Sequence, residues 1–396
     1  MTTTQDSGPA TVAARPALVT QALALRLVSV FGASTSFYLL LSVVPHYASA
    51  QGRGGGGAAG LATGALMLAT VAGEVGTPAL IRRWGHRAVL CAGLVLMGLP
   101  ALALGFSRGL GWIVVVCALR GLGFAFTLVA GGALTAHLIP AERRGEGLAV
   151  VGLVTGVPSL LALPLGVWLA GQVGYGVVFA AGGVAALAVI PTLWGLPGRV
   201  GAEGRAIDLP EAFRTGGLLR PAVVFAVTAL AAGIVVTFLP LAVPASATGL
   251  VAAALFVQPA AATAARWLAG RYGDRHGSGG LVLPGLLLSA AGTVLMALTG
   301  SAVWVIVAVG VFGAGFGIAQ NATLTLMYAR VSPAGYGTVG ALWNFAYDAG
   351  MGAGALAFGR LAGGTGYPWA FALTGVAMLG ALLPALRDRR VRADQS

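Results

Sequence analysis

Long apolar runs separated by short polar breaks dominate the chain. They fall at 22–48, 60–81, 88–106, 111–137, 146–171, 175–196, 221–244, 249–270, 281–300, 302–329, 337–362 and 368–386. Each is close to the ~20 residues that a helix needs to cross ~30 Å of hydrocarbon, so the pattern predicts an all-α integral membrane protein with twelve transmembrane helices. The longest polar connection, 197–220, divides them into an N-terminal six-helix bundle over 22–196 and a C-terminal one over 221–386, with polar tails at 1–21 and 387–396. The first apolar run is too long for a signal peptide and is expected to remain as an uncleaved span.

Composition supports this picture. The chain is 58% hydrophobic and 9% charged, with a mean hydropathy of +0.90, whereas a soluble domain carries about 25% charged residues. Its 63 glycines fit helices that associate in lipid by close backbone approach. All 23 basic residues are Arg, and the net charge of +12 would alone suggest an anionic partner. Their placement points elsewhere. Arg82, Arg83, Arg87, Arg143, Arg144, Arg199 to Arg220, Arg271, Arg275, Arg330 and Arg387 to Arg392 lie in every second loop, and the alternate loops hold only Arg53, Arg108 and Arg360. This bias predicts both termini in the cytoplasm, with the bilayer of the cell membrane and not nucleic acid as the partner. Cys91 and Cys117 fall inside apolar helices and read as small hydrophobic residues.

The halves look duplicated at a register of about 192 residues. Arg83-Trp-Gly85 faces Arg275-His-Gly277, Gly123-Phe124 faces Gly315-Phe316, and Pro140-Ala141 lies one step from Pro333-Ala334. A parallel six-helix repeat places a substrate site between the halves near the bilayer midplane.

At this point the residues reach a family. The loop Arg82-Arg-Trp-Gly-His-Arg87 and its counterpart Gly270-Arg-Tyr-Gly-Asp-Arg-His-Gly277 resemble the Gly-x-x-x-Asp-Arg-x-Gly-Arg-Arg loop of the major facilitator superfamily. The second copy matches better, because in the first Arg82 stands for the family's Asp and Pro78 for its Gly. Arg120-Gly-Leu-Gly-Phe-Ala125 resembles the family's fourth-helix motif, and Ile139-Pro-Ala-Glu-Arg-Arg-Gly145 its following loop. Gly152, Gly156, Pro158, Pro164 and Gly166 are loosely similar to the fifth-helix motif of its antiporters. The resemblance implies transport by rocking of two halves, proton coupling at Arg120, and gating loops built on Arg83, Gly85, Arg87, Gly273, Asp274, Arg275 and Gly277.

The residues themselves narrow the candidates. Arg120 lies centrally in an apolar run, where a charge costs roughly 2.5–3.5 kcal/mol. On a helical wheel it shares a face with Gly123, Phe124, Thr127 and Gly131, which predicts a polar groove; a structural Arg bonded to neighbouring carbonyls is the alternative. Glu74 shares a stripe with Thr63, Met67, Thr70 and Pro78. It reads either as a proton carrier or as a carboxylate reaching for the loop arginines, and its counterpart at the 192 register is Arg266. Asp348, with Asn344, Tyr347 and Met351 on one face, is the best cavity acid, competing with a purely packing role. Asn321 and Tyr328 on the tenth span and Thr35 and Tyr38 on the first complete the predicted substrate lining, with Phe124 and Thr127. His46, His86, His137 and His276 are scattered, and no HExxH, CxxC, GxSxG or GxxxxGK[ST] run occurs, so neither an enzyme, a metal site nor a cofactor is expected. The expected activity is proton-coupled export of a small amphipathic compound by a monomer. Uptake of a nutrient or organic anion, with Arg120 holding its carboxylate, and a non-transporting receptor on a carrier fold are the rivals.

Overall fold

The computed structural model describes residues 19–51, 55–140, 143–200, 216–244, 247–332 and 335–393. Most of the predicted tails and linker, and parts of the loops at 139–145 and 333–334, lie outside them. The described chain forms α1 (Gln21–Ala50), α2 (Gly55–Trp84), α3 (His86–Phe106), α4 (Leu110–Leu138), α5 (Arg144–Val173), α6 (Tyr175–Gly195), α7 (Gly216–Ala242), α8 (Thr248–His276), α9 (Ser278–Leu295), α10 (Ala302–Tyr328), α11 (Tyr336–Thr365) and α12 (Tyr367–Arg387). All except α11 are long and apolar enough to cross a membrane by length and hydropathy alone. The 30-residue α11 has its apolar character diluted by Asn344, Asp348, Arg360 and its glycines.

Hydroxyls and glycines let these helices pack closely. Thr70, Thr77, Ser289, Thr293, Thr323 and Thr374 each donate to the carbonyl four residues earlier, so a buried hydroxyl is satisfied by its own helix. A Cβ on Gly121 would run into the Leu66 carbonyl, and one on Gly313 into the Gln258 carbonyl. These equivalent contacts join α2 to α4 and α8 to α10 at the 192 register. The turns keep the same register: Gly85 and Gly277 have φ of 83° and 82°, and Gly174 and Gly366 have φ of 85° and 79°, a region in which side chains with a Cβ are strained.

The halves meet through α2 against α11 and α5 against α8. Their contacts concentrate away from the arginine-rich loops. The Ser42 hydroxyl donates to the Val236 carbonyl at 2.6 Å, and the Thr63 and Thr237 hydroxyls lie 2.9 Å apart. Gly60 abuts Ala355, and a Cβ on Gly352 would lie 3.0 Å from that of Met67. The central helices α1 and α7, the most buried of the spans, each show one graded stripe. On α1, exposure falls from 49% at Val28 and 47% at Phe31, through half-buried Thr35 and Tyr38, to 0% at Ser42. The equivalent stripe on α7 falls from exposed Val223, through Val227 and Leu230, to fully buried Thr237. Between the halves is therefore a funnel, open at the arginine-rich end and sealed at the other.

Candidate functional site

The funnel narrows onto side chains from both halves. Glu74 of α2 and Asp348 of α11 bring their carboxyls close enough to interact. Tyr38 of α1 and Tyr347 of α11 lie beside Asp348, and Arg266 of α8 faces Tyr38 closely enough for their charges to interact. Glu74 is half-buried while Asp348 is 3% exposed, so one carboxyl looks toward the funnel and the other into the protein. An ionised carboxylate only accepts hydrogen bonds. A proton shared by two carboxyls this close relieves their repulsion, and its loss sets two like charges against each other across the interface of the halves.

Tyr347 belongs to an aromatic wall. Phe225 stacks on Trp343 at 4.3 Å between ring centroids and lies 5.9 Å from Tyr347, and Phe316 lies 6.2 Å from Tyr347. The Trp343 indole donates to the Thr323 hydroxyl at 3.3 Å. Across the funnel, Phe37 and Phe124 stack at 3.9 Å, with Tyr38 edge-on to Phe37. Apolar rings with a few polar groups between them suit an amphipathic ligand. The Thr35 hydroxyl and Asn321 Oδ1 are buried without a hydrogen-bond partner among the described residues, and Asn344 is half-buried on the α11 face that carries Asp348. Tyr328 packs against Tyr336 at 4.9 Å, nearer the mouth.

Two predicted groups are placed differently. Arg120 is 2% exposed and donates to the Ser36 carbonyl of α1 at 3.1 Å, and its Nε has no partner among the described residues. It staples α4 to α1 instead of opening onto a polar groove. Thr127 bonds back to the Phe124 carbonyl at 2.8 Å and packs toward Met97 and Gly93 of α3. The small residues on that face of α4 admit other helices, not water: Gly123 receives the backbone of α3, and Gly131 receives the Arg26 guanidinium.

Arg26, Phe225, Trp343 and the facing position of Arg266 were missed as site features. Arg26 is buried in α1, where its Nε donates to the Gly131 carbonyl at 3.3 Å and the Thr135 hydroxyl at 3.2 Å. Its signal was an Arg inside an apolar run, hidden by nearness to the predicted tail. The sequence signal for Arg266 was its register with Glu74.

In the gating loops, Gly85 is pressed against the Gly198 carbonyl, and Arg199 donates to the Arg83 carbonyl at 3.2 Å. The Arg87 amide lies 3.5 Å from the Gly198 carbonyl. In the second copy the Gly277 amide closes the helix on the Gly273 carbonyl at 2.8 Å. Asp274 and Arg275 are exposed, and neither forms an ion pair among the described residues; the ion pair found there joins Arg143 to Glu146. No group of three metal-ligating side chains occurs among the described residues.

Comparisons with known proteins agree with this architecture. The chain is 30% identical over 390 residues to a chloramphenicol resistance protein of Streptomyces lividans, covering 93% of this chain and 96% of that one. Its fold is similar to that of the nucleoside transporter NupG, with a TM-score of 0.72 at 12% identity over 94% of this chain and 99% of that one. It is also similar to a bacterial homologue of the human lysosomal transporter Spinster, solved inward-facing and unoccupied, with a TM-score of 0.68 at 15% identity over 93% and 94% of the two chains. The Major Facilitator Superfamily profile matches residues 26–355. The chain belongs to that superfamily: it is a multi-pass membrane transporter of small molecules, not an enzyme.

Proposed function

We propose that the protein exports small amphipathic compounds by exchanging them for protons. The observation that carries this reading is the Glu74–Asp348 pair, one carboxyl from each half, meeting at the apex of the funnel. A proton shared by the pair links α2 to α11; its departure leaves mutual repulsion at the same seam. Cargo and proton thus compete for one place whose occupancy biases the halves between two arrangements. The aromatic walls supply an apolar surface for the cargo, and the relative that confers chloramphenicol resistance makes that compound the first to try. In this reading the arginine-rich end is cytoplasmic, the membrane is the cell membrane and one chain is the working unit. Arg120 acts on the pair through α1, by holding Ser36 and with it Tyr38.

The test is internal pH in proteoliposomes on addition of chloramphenicol, and of a panel of amphipathic cations, neutral compounds and organic acids. Wild type releases protons against cargo. Asp348→Asn keeps a hydrogen-bonding group beside Glu74 and slows exchange at least about ten-fold. Uptake independent of protons, undisturbed by Asp348→Asn, overturns the proposal.

A further inference from the structure

The 192 register that relates Glu74 to Arg266 relates Asp348 to Gly156. The funnel therefore has two equivalent corners. At the α2–α11 corner, two carboxyls fill the space between the halves. At the α5–α8 corner, a guanidinium stands where Glu74 stands in the other, and the place of Asp348 is left to glycine. Gly156 is exposed, and a Cβ on it would meet nothing within 4 Å. Arg266 is exposed, forms neither a hydrogen bond nor an ion pair among the described residues, and faces Tyr38 of the opposite half. Its neighbours on α8 account for the direction. Gln258 and Ala262 seat the glycines of α10, while Trp267 is 59% exposed on the outer side with Arg271 stacked over it at 4.8 Å. One turn from Arg266, Gly270 approaches Asn321, whose Oδ1 is buried without a partner among the described residues.

Resting on the reading of the funnel as the substrate site, but not on competition of cargo and proton at the carboxyl pair, we propose that Arg266 is a substrate-binding residue whose guanidinium receives a carboxylate of the cargo in the space beside Gly156. The cargo is then an amphipathic organic anion, its head at the α5–α8 corner and its apolar body along the half-buried Trp343 and Tyr347. A guanidinium offers a carboxylate two parallel N–H···O bonds, and an Arg within a membrane span that faces an open cavity marks a substrate path. Arg120, already bonded to Ser36, is not the group that takes the anion.

Binding to purified full-length protein in nanodiscs, without a pH gradient, tests this with 4-phenylbutyrate, its amide and 4-phenylbutylamine as probes. Wild type binds the carboxylate about ten-fold more tightly than the amide, and the amine more weakly still. Arg266→Gln removes the preference and Arg266→Lys retains part of it. Gly156→Asp, which places a carboxylate in the space opposite Arg266, removes it too, and thermal melting checks that each variant is folded. Equal binding of acid and amide by wild type, or a preference that survives Arg266→Gln, overturns the proposal. Since no proton gradient is present, proton-linked export of neutral compounds with no role for Arg266 leaves the exporter reading standing, and Arg266-dependent binding without proton exchange leaves this one.

Discussion

The two halves share a backbone and differ in what ties it together. In the N-terminal half, α1 and α4 are joined by guanidinium groups: Arg26 to Gly131 and Thr135, and Arg120 to Ser36. At the equivalent places the C-terminal half has Leu218 and Phe312, both buried, and Phe316, one turn beyond Phe312 on α10, stacks on Phe225 of α7 with ring centroids 6.1 Å apart. The glycines that admit helix backbones stay in register, Gly121 with Gly313 and Gly85 with Gly277, while the side chains between them have diverged. Backbone approach thus defines the fold, and the groups at the seams are free to specialise. One half is held by directional bonds to carbonyls, the other by apolar and aromatic contact, which tolerates small displacements.

Breaking the shared part has the largest effect. Gly121→Leu and Gly313→Leu each force a side chain into a neighbouring carbonyl and cost about 3 kcal/mol or more, read as loss of monodisperse protein on gel filtration; a tolerated substitution in one half would end the equivalence. Next come the diverged positions. Phe312→Ala opens a cavity and costs about 3 kcal/mol in unfolding stability. Arg120→Met removes a buried charge, changes stability by less than about 1 kcal/mol, and loses exchange activity in proteoliposomes; full activity would reduce Arg120 to packing. The smallest effect is at the seam, where Thr63→Val with Thr237→Val gives a coupling of about 0.6 kcal/mol in a double-mutant cycle.

Much of the fold was legible because its signals are local. Apolar runs placed all twelve spans to within about two turns, since helix ends extend beyond the hydrocarbon into the arginine-rich loops, as in α2 through Trp84 and α8 through His276. The repeat register was legible because glycines with positive φ cannot drift. The geometry of the candidate site was legible in part: Asp348, Tyr347 and Tyr38 come together as their helical faces suggest. The meeting of Glu74 with Asp348 was not, because it depends on how two halves close, which no single helix encodes. Thr127 and Arg120 show the opposite failure. A wheel gives the face of a helix but not its neighbour, and the small residues that suggested a water-filled groove on α4 are the ones that let α3 and α1 approach.

The graded funnel has an electrical consequence. If the proposed cycle holds, water filling the funnel as far as half-buried Glu74 compresses the membrane's voltage drop into the sealed stretch between that level and the opposite face, where Ser42, Thr63 and Thr237 lock the halves. A charge lodged at Asp348 has crossed little of the field on arrival. In the proposed cycle, a swing of the halves that exchanges the wet and dry sides around it carries it through most of the remainder, worth about 2.3 kcal/mol per 100 mV for each elementary charge.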